Sequence, residues 1–147
     1  MNYSITFKPL AELTPEEKKV LFGLTCIQEG HTRSVFQQWL RHSNPKGMYT
    51  AMVNLGEETV AWAAASTHEL WQEGKIGVFV KPEYRKKGLA HLALDSLLTE
   101  TKKHEERFPK YWHYNRGLER VFRPILDQHG LKDLSRDYEE YNRQMGQ

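Results

Sequence analysis

The residues best suited to chemistry lie in one short stretch, VFVKPEYRKKGLA, which spans positions 78–90. Its apolar alternation ends at Pro82, which supplies no N–H to a sheet ladder. A run of three cations follows, and a helix-forming segment begins after Gly88. The first N–H groups of a helix have no intrahelical acceptor and lie at the positive end of its dipole. Because glycine has no side chain, an anion can approach closely, and the stretch predicts a phosphate or pyrophosphate site. A solvated basic turn is the alternative.

The length and composition of the chain suit one domain without a membrane span. At 147 residues, folding buries roughly 68–70% of the surface that an unfolded chain exposes. No apolar run approaches the ~20 residues of a membrane helix, and the N-terminus MNYSITFKPL lacks the pattern of a signal peptide. A cytoplasmic protein with no membrane partner is therefore expected. Cys26 is the only cysteine, which excludes an internal disulfide and leaves a buried thiol or a catalytic one.

Sheet and helix patterns alternate along the chain. The predicted order is β-α-α-β-β-β-α-β-α-β, which indicates a mixed α/β domain. A hairpin is expected around Gly56. The strand patterns are SITFKPL, Met48–Leu55, Thr59–Ser66, Ile76–Val80, KYWHY and a terminal pair within LKDLSRDYEEYNRQM.

Local signals predict how the helices begin and end. Thr14 is expected to be the N-cap of the first helix, with Pro15 at its first position and Glu17 completing a capping box. A second short helix is predicted over SVFQQWLRH, and a third begins at Leu89. Proline is expected to interrupt the last helix within RGLERVFRPILDQHG. Gly77 suggests a bulge in its strand or the close approach of a backbone or ligand.

The stretch as a whole resembles the acetyl-CoA signature of the GNAT superfamily of N-acyltransferases. That signature is a V-x-V strand followed by P-x-[FY]-[RQ]-x-x-G-[LI]-[AG], and the matching positions are Val78, Val80, Pro82, Tyr84, Arg85, Gly88, Leu89 and Ala90. The resemblance is tight over 76–98 and rests on element order elsewhere. It implies one GNAT-like domain over residues 1–147, with a central, mostly antiparallel twisted sheet and helices on both faces.

The resemblance also implies a function and a cofactor-binding set. It implies an N-acetyltransferase that moves an acetyl group from acetyl-CoA, its cosubstrate, directly to an amine of a small molecule or protein, without a metal. The N–H groups of residues 86–90 would hold the pyrophosphate, and the backbone of Phe79 and Val80 would pair with pantetheine. Asn115 resembles an asparagine that often bonds pantetheine, or is an N-cap. The cofactor-binding set is Val78, Phe79, Val80, Arg85, Lys86, Lys87, Gly88, Leu89, Ala90 and Asn115.

Acyl transfer needs an uncharged amine, donors for the oxyanion and a proton for the departing thiolate. In the resembled family, a carboxylate near the start of the motif strand often serves as base. Glu73 is the first candidate and Glu69 the second, with an exposed turn carboxylate as the alternative for each. His113 is another candidate base because imidazole titrates near neutral pH, although a packed or surface histidine is the commoner case. Within KYWHY, Tyr111 and His113 are predicted to share one strand face.

The residue at the position of the general acid differs from that in the resembled pattern. Many family members place a tyrosine four residues before a Gly-Phe pair that ends the last helix. Here the pair is Gly130-Leu131, and Leu126 stands in the place of the tyrosine. On that alignment Tyr111, Tyr114, His129 or water would supply the proton. The predicted catalytic residues are Glu73, His113 and Tyr114.

The sequence also leaves room for classes of function other than an N-acetyltransferase. A leucine at the acid position is compatible with a catalytically weak or inactive module that binds CoA or another protein. A nucleic-acid binder using residues 85–87 would lose affinity steeply with salt, but the formal net charge of +2 does not indicate such a partner. Gln72 replaces the second histidine of the H-E-x-x-H zinc motif, so no metal site is expected there. The sequence leaves a homodimer open.

Overall fold

A six-stranded mixed sheet forms the centre of the protein. The computed structural model describes residues 2–25, 38–41, 45–67, 73–106, 108–114, 118–134 and 143, and every structural statement concerns these residues. The strands follow chain order across the sheet. Neighbours from β1 to β4 are antiparallel, whereas β4 pairs with β5, and β5 with β6, in parallel. The strands are β1 Tyr3–Pro9, β2 Met48–Leu55, β3 Glu58–Thr67, β4 Glu73–Val80, β5 Tyr111–His113 and β6 Lys132–Asp133.

Helices cover both faces of this sheet, which confirms the predicted mixed α/β architecture. Three α-helices are described: α1 Pro15–Thr25, α2 Leu89–His104 and α3 Glu119–Gln128. One apolar cluster joins one sheet face to α2 and α3. A second cluster joins the opposite face to α1 and the helical residues 38–40. In the described ranges, no helix is both long and apolar enough to cross a membrane.

The hairpin and first-strand predictions are confirmed, and the bounds of β4 are corrected. Gly56 turns between β2 and β3 with φ +62°. The fourth strand begins at Glu73, three residues before the predicted Ile76, because residues 73–75 pair with β5. Of the two alternatives predicted at Gly77, the bulge is wrong, since β3 and β4 keep one register from Ala61↔Val80 to Thr67↔Gly74, and the close approach of a backbone or ligand stays a prediction. The register shift in this part of the sheet instead lies in β2, between Val53 and Asn54.

The predicted start of α1 is confirmed by a reciprocal capping box. The Glu17 N–H donates to Thr14 Oγ1 at 3.1 Å, and the Thr14 N–H donates to Glu17 Oε1 at 2.9 Å. The predicted interruption of the last helix is wrong, because α3 continues through Pro124. Cys26, Glu69, Gln72, most of the predicted second helix and most of the terminal strand pair lie outside the described residues.

Candidate cofactor and active site

The edge of β4 that faces β5 becomes open partway along the strand. The short β5 pairs with Glu73, Gly74 and Lys75, and no described strand continues the pairing along 76–80. Gly74 permits a close contact of the two strands, since a Cβ there would lie 2.6 Å from the Trp112 ring. This glycine therefore lets β5 lie against β4, and the opening begins after the last described pair, Lys75 and His113.

Strand geometry determines which backbone groups of β4 point into the opening. The Lys81 N–H donates to the Val60 carbonyl on β3 at 2.9 Å. Because bonding direction alternates along a strand, the backbone groups of Phe79 also face β3, whereas those of Val78 and Val80 face the open edge. Val78 and Val80 thus direct their backbone donors and acceptors toward the opening. Of the two residues predicted to pair with pantetheine, Val80 faces the open edge and Phe79 faces β3.

A pocket of about 490 Å³ lies along this open edge. Eight of its lining residues belong to the predicted cofactor set: Val78, Phe79, Val80, Arg85, Lys86, Gly88, Leu89 and Ala90. Tyr84 of the motif also lines it, as do Leu118 and Val121 at the start of α3. Leu118 and Val121 were not among the predicted residues, although their i, i+3 apolar spacing marks one face of α3. Lys87 does not line the pocket, and Asn115 lies outside the described residues.

The start of α2 presents a row of backbone donors beside this pocket. The N–H groups of residues 86–91 donate to no backbone acceptor in the described chain, and the first to do so is Leu92, which bonds the Gly88 carbonyl at 3.1 Å. Lys86 and Gly88 both have left-handed backbone, with φ +62° and +77°. Such alternation turns successive N–H groups into an anion-binding concavity. No side chain caps this helix, and no acidic residue lies in its first turn.

Open space surrounds the one glycine in this concavity. A Cβ at Gly88 would meet no atom within 4 Å. Glycine is therefore required by the positive φ rather than by a packed neighbour, because left-handed backbone costs most other residues roughly 1–2 kcal/mol. Lys86 bears that cost in the same turn. The arrangement suits a phosphate group, as expected from the sequence.

The two candidate bases lie together at the closed end of the opening. Glu73 begins β4, and its Oε2 lies 3.8 Å from His113 Nε2 on β5. Both side chains remain partly exposed. Glu73 lies three residues before the opening at Ile76, roughly 10 Å along the strand. A water molecule is therefore the natural link between this pair and a group bound at the near end of the opening.

Tyr114, the predicted acid, is held by a buried carboxylate. Its hydroxyl donates to Asp133 Oδ2, and its ring stacks on Phe122 with centroids 4.8 Å apart. Arg123 Nε donates to the same Asp133 oxygen at 3.3 Å. The hydrogen bond with Tyr114, and then that with Asp133, raises the pKa of Arg123. The Tyr114 proton is thus engaged in a network that joins the end of β5 to β6 and α3.

The predicted alignment of Leu126 with the tyrosine of the resembled pattern is wrong. Leu126 is fully buried and packs in the apolar cluster with Phe122 and Ile125. It lies five residues after the pocket-lining Val121, which places it about 140° around the helix from that residue. The alignment of Leu126 with the tyrosine of the resembled family therefore does not hold in this structure, and Leu126 no longer indicates that a general acid is missing. His129 Nε2 lies 2.8 Å from Asp95 Oδ1, so this side chain links α3 to α2.

No described group of three or more His, Cys, Asp or Glu side chains is arranged to hold a metal ion. A described feature that does have ligand-binding geometry is the anion concavity beside the part of β4 that pairs with no described strand. This combination is suited to a long ligand that carries phosphate at one end and amide groups along its length.

Comparison with known proteins identifies the family. The model of the acetyltransferase (GNAT) family matches residues 10–123, and the chain belongs to this family of acyl-CoA-dependent N-acyltransferases. No curated protein sequence matches the chain.

Solved structures share the fold at low sequence identity. Escherichia coli ElaA is 16% identical, with a TM-score of 0.62 over 84% of this chain and 86% of that one. A ribosomal-protein-alanine N-acetyltransferase from Brucella melitensis is 12% identical, with a TM-score of 0.56 over 87% and 90%. The aminoglycoside N-acetyltransferase AAC(6')-Iy, in complex with a bisubstrate analog of CoA, is 14% identical, with a TM-score of 0.55 over 90% and 92%. These likenesses concern the fold alone.

Proposed function

We propose that this protein is an N-acetyltransferase that uses acetyl-CoA as cosubstrate and transfers its acetyl group directly to an amine. The observation that carries the proposal is the row of N–H donors at residues 86–91, which lies beside the open edge of β4. Membership of the GNAT family supports the acyl-CoA class. The proposal includes three further parts: acetyl-CoA as the donor, direct transfer, and an acceptor that is an amine of a small molecule or a protein.

In the proposed complex, the cofactor lies along β4 with its diphosphate at the start of α2. The N–H groups of residues 86–90 bond the diphosphate oxygens, because charge-assisted bonds to backbone donors are strong. The pantetheine amides pair with Val78 and Val80 as an added strand, since these residues direct their backbone groups outward. The thioester then lies toward Ile76, where β4 and β5 part. Asn115 is proposed as a further pantetheine contact.

In the proposed mechanism, the Glu73–His113 pair takes the proton from the amine. The neutral amine attacks the thioester carbon and forms the new N–C bond. The tetrahedral intermediate then loses one N–H proton to water, and the C–S bond breaks to leave an amide and the CoA thiolate, which takes up a proton. Glu73 receives the ammonium proton through water, and His113 lies beside it, with 3.8 Å between His113 Nε2 and Glu73 Oε2. Tyr114 would protonate the thiolate only by giving up its bond to Asp133, so water is the better-supported donor.

Release of free CoA from acetyl-CoA in the presence of a panel of amines tests the function. The panel should include an N-terminal peptide, a polyamine, an aminoglycoside and free amino acids, because the pocket residues do not select among them. Calorimetry with CoA provides a separate measure of binding. Binding without release for any amine would indicate a CoA-binding module, and absence of binding would refute the proposal.

Replacing the proposed base separates chemistry from binding. Glu73→Gln is expected to lower turnover by roughly 100-fold, as loss of a general base should, with CoA affinity nearly unchanged. Glu100→Gln is the matched control, since that carboxylate is on the exposed side of α2 and pairs with Lys103. Equal turnover of Glu73→Gln and the wild type would remove Glu73 from the mechanism.

A further inference from the structure

The candidate base pair shares its face of the sheet with an exposed cation, Lys75. Glu73 and Lys75 lie two residues apart on β4, and side chains at that spacing project from the same face of a strand. Lys75 pairs in register with His113 of β5, whose Nε2 lies 3.8 Å from Glu73 Oε2. The three side chains are therefore neighbours on this face, whereas Trp112 projects from the opposite face into the apolar cluster with α2.

The ammonium of Lys75 is not neutralised by any carboxylate in the part of the chain that the structure describes. Its residue is exposed, and it takes part in none of the ion pairs between described residues. Lys132 of β6 lies on the same face of the sheet, because it pairs with Tyr111. Among the described residues of β4, β5 and β6, this face thus carries two lysines and one carboxylate, Glu73. Its net charge is positive even with a neutral His113.

This cation adjoins the place where the acetyl group would be transferred. Lys75 is the last described residue of β4 that pairs with β5, and the proposed complex places the thioester at the next residue, Ile76. An acceptor amine that gives its proton to Glu73 approaches on the face that carries Glu73, and that face also carries Lys75. The flexible four-carbon stem of a lysine lets its ammonium reach a group attached close to the amine.

We propose that Lys75 is a specificity-determining residue, and that the favoured acceptors are amines that carry a carboxylate close to the amine. The ammonium of Lys75 makes a charge-assisted bond to that carboxylate, while the amine lies toward Glu73. Polycationic amines meet a positive face and are disfavoured. Free amino acids and peptides that begin with an acidic residue both present the favoured chemistry. This inference rests on the proposed function, because it names the substrate class of the same site.

Matched acceptors that differ in one charge test this selectivity. Free alanine is compared with alaninamide, and a dipeptide amide that begins with aspartate is compared with one that begins with asparagine. The value of kcat/KM for each acceptor is measured from release of CoA. Because the members of a pair also differ in the pKa of their amine, the quantity that tests Lys75 is the change in the kcat/KM ratio between wild type and variant.

Substitutions at position 75 should change this ratio according to charge. Lys75→Gln should lower the preference for the carboxylate by roughly two- to fivefold in at least one pair, as expected for an exposed charge pair. Lys75→Glu should lower it further, and Lys75→Arg should retain it. Lys102→Gln is the matched control, since Lys102 is an exposed lysine in the last turn of α2. The pair that responds distinguishes free amino acids from acidic peptides.

The outcomes separate this inference from the function on which it rests. An unchanged ratio for both pairs in Lys75→Gln, including an equal loss of turnover with both members, overturns the inference alone. An equal fall of the ratio in Lys102→Gln does so too, as does release of CoA only with amines outside both pairs. No release with any amine overturns the proposed function and the inference together. Because Lys75 is exposed, circular dichroism should show an unchanged fold in each variant.

Discussion

The N-termini of α1 and α2 differ in how their unsatisfied backbone N–H groups are treated. Both helices begin with N–H groups that have no intrahelical acceptor. At α1, the side chains of Thr14 and Glu17 satisfy two donors reciprocally, and Glu16 adds a second carboxylate to the first turn. At α2, the residue before the helix is Gly88, no side chain caps the donors, and three cations precede it.

This difference separates a helix start built for stability from one suited to a ligand. The carboxylate that α1 supplies from its own chain is absent at α2, so an external anion is the complementary partner. Capping α2 with its own side chain would stabilise the free protein and exclude that partner. The comparison predicts that equivalent changes at the two starts affect different measurements.

The largest effect is expected from an acidic side chain at α2. Gly88→Asp should weaken CoA binding by about 100-fold or more, because its carboxylate repels the diphosphate and displaces it from the N–H groups. Gly88→Asn has the same shape and similar tolerance of left-handed backbone, so it isolates the effect of charge and should lose less. Calorimetry measures both, after circular dichroism shows that each is folded. Normal CoA binding by folded Gly88→Asp would mean that this stretch is only a basic turn.

Removing the cap of α1 should change stability and leave the ligand site intact. Thr14→Ala eliminates the acceptor of the Glu17 N–H and should lower the free energy of unfolding by about 1 kcal/mol. Urea denaturation measures this loss, and CoA calorimetry on the same variant should return the wild-type affinity. A comparable loss of CoA affinity would show that the two helix starts are coupled.

The cap of α1 also predicts a dependence of stability on pH. Burial alone would raise the pKa of Glu17, but hydrogen bonds from the Lys8 ammonium and the Thr14 N–H outweigh it, and the pKa is lowered. The unfolded chain then binds this proton more tightly, so the stabilisation is present above the unfolded pKa of about 4.3 and is lost as pH falls through the folded value. Urea titrations of Glu17→Gln should show less loss of stability in acid than the wild type. Parallel pH profiles would contradict this assignment.

The smallest effects are expected from the flanking lysines. Lys86→Ala and Lys87→Ala remove exposed charges and leave the backbone donors, so each should weaken CoA binding by roughly two- to fivefold, and by less at high salt. Lys86 lines the pocket and Lys87 does not, so the first variant should lose more. Calorimetry at two salt concentrations measures both. A larger loss for Lys87→Ala would place the anion on the other side of the loop.

Sequence reasoning succeeded where a structure depends on neighbours in the chain. The capping box, the turn at Gly56 and the change from strand to helix at 78–90 are local signals, and all are confirmed. It failed where the structure depends on contacts between strands or helices that are distant in the chain. Pairing with β5 extends β4 back to Glu73, and packing on the sheet buries Leu126.

The proposed cofactor loop and the proposed catalytic pair show the same contrast between local and distant contacts. The loop of α2 is a continuous motif, so its pocket residues could be identified one by one. The proximity of Glu73 and His113 arises from parallel pairing of two strands that are separated by the whole of α2. No spacing along the chain encodes that proximity. The backbone direction at Val78 and Val80 likewise requires the register with β3.

The brevity of β5 and β6 has a consequence for amide hydrogen exchange. These strands contain three and two described residues, whereas β2 and β3 contain eight and ten. The parallel part should therefore open by local unfolding at a lower free energy than the antiparallel part, and its amides should exchange first. Since the pocket spans β4, α2 and α3, a ligand that fills it would join the less stable part to the more stable one. Slower exchange in β5 and β6, whose residues do not line the pocket, would then report occupancy at a distance from the ligand itself.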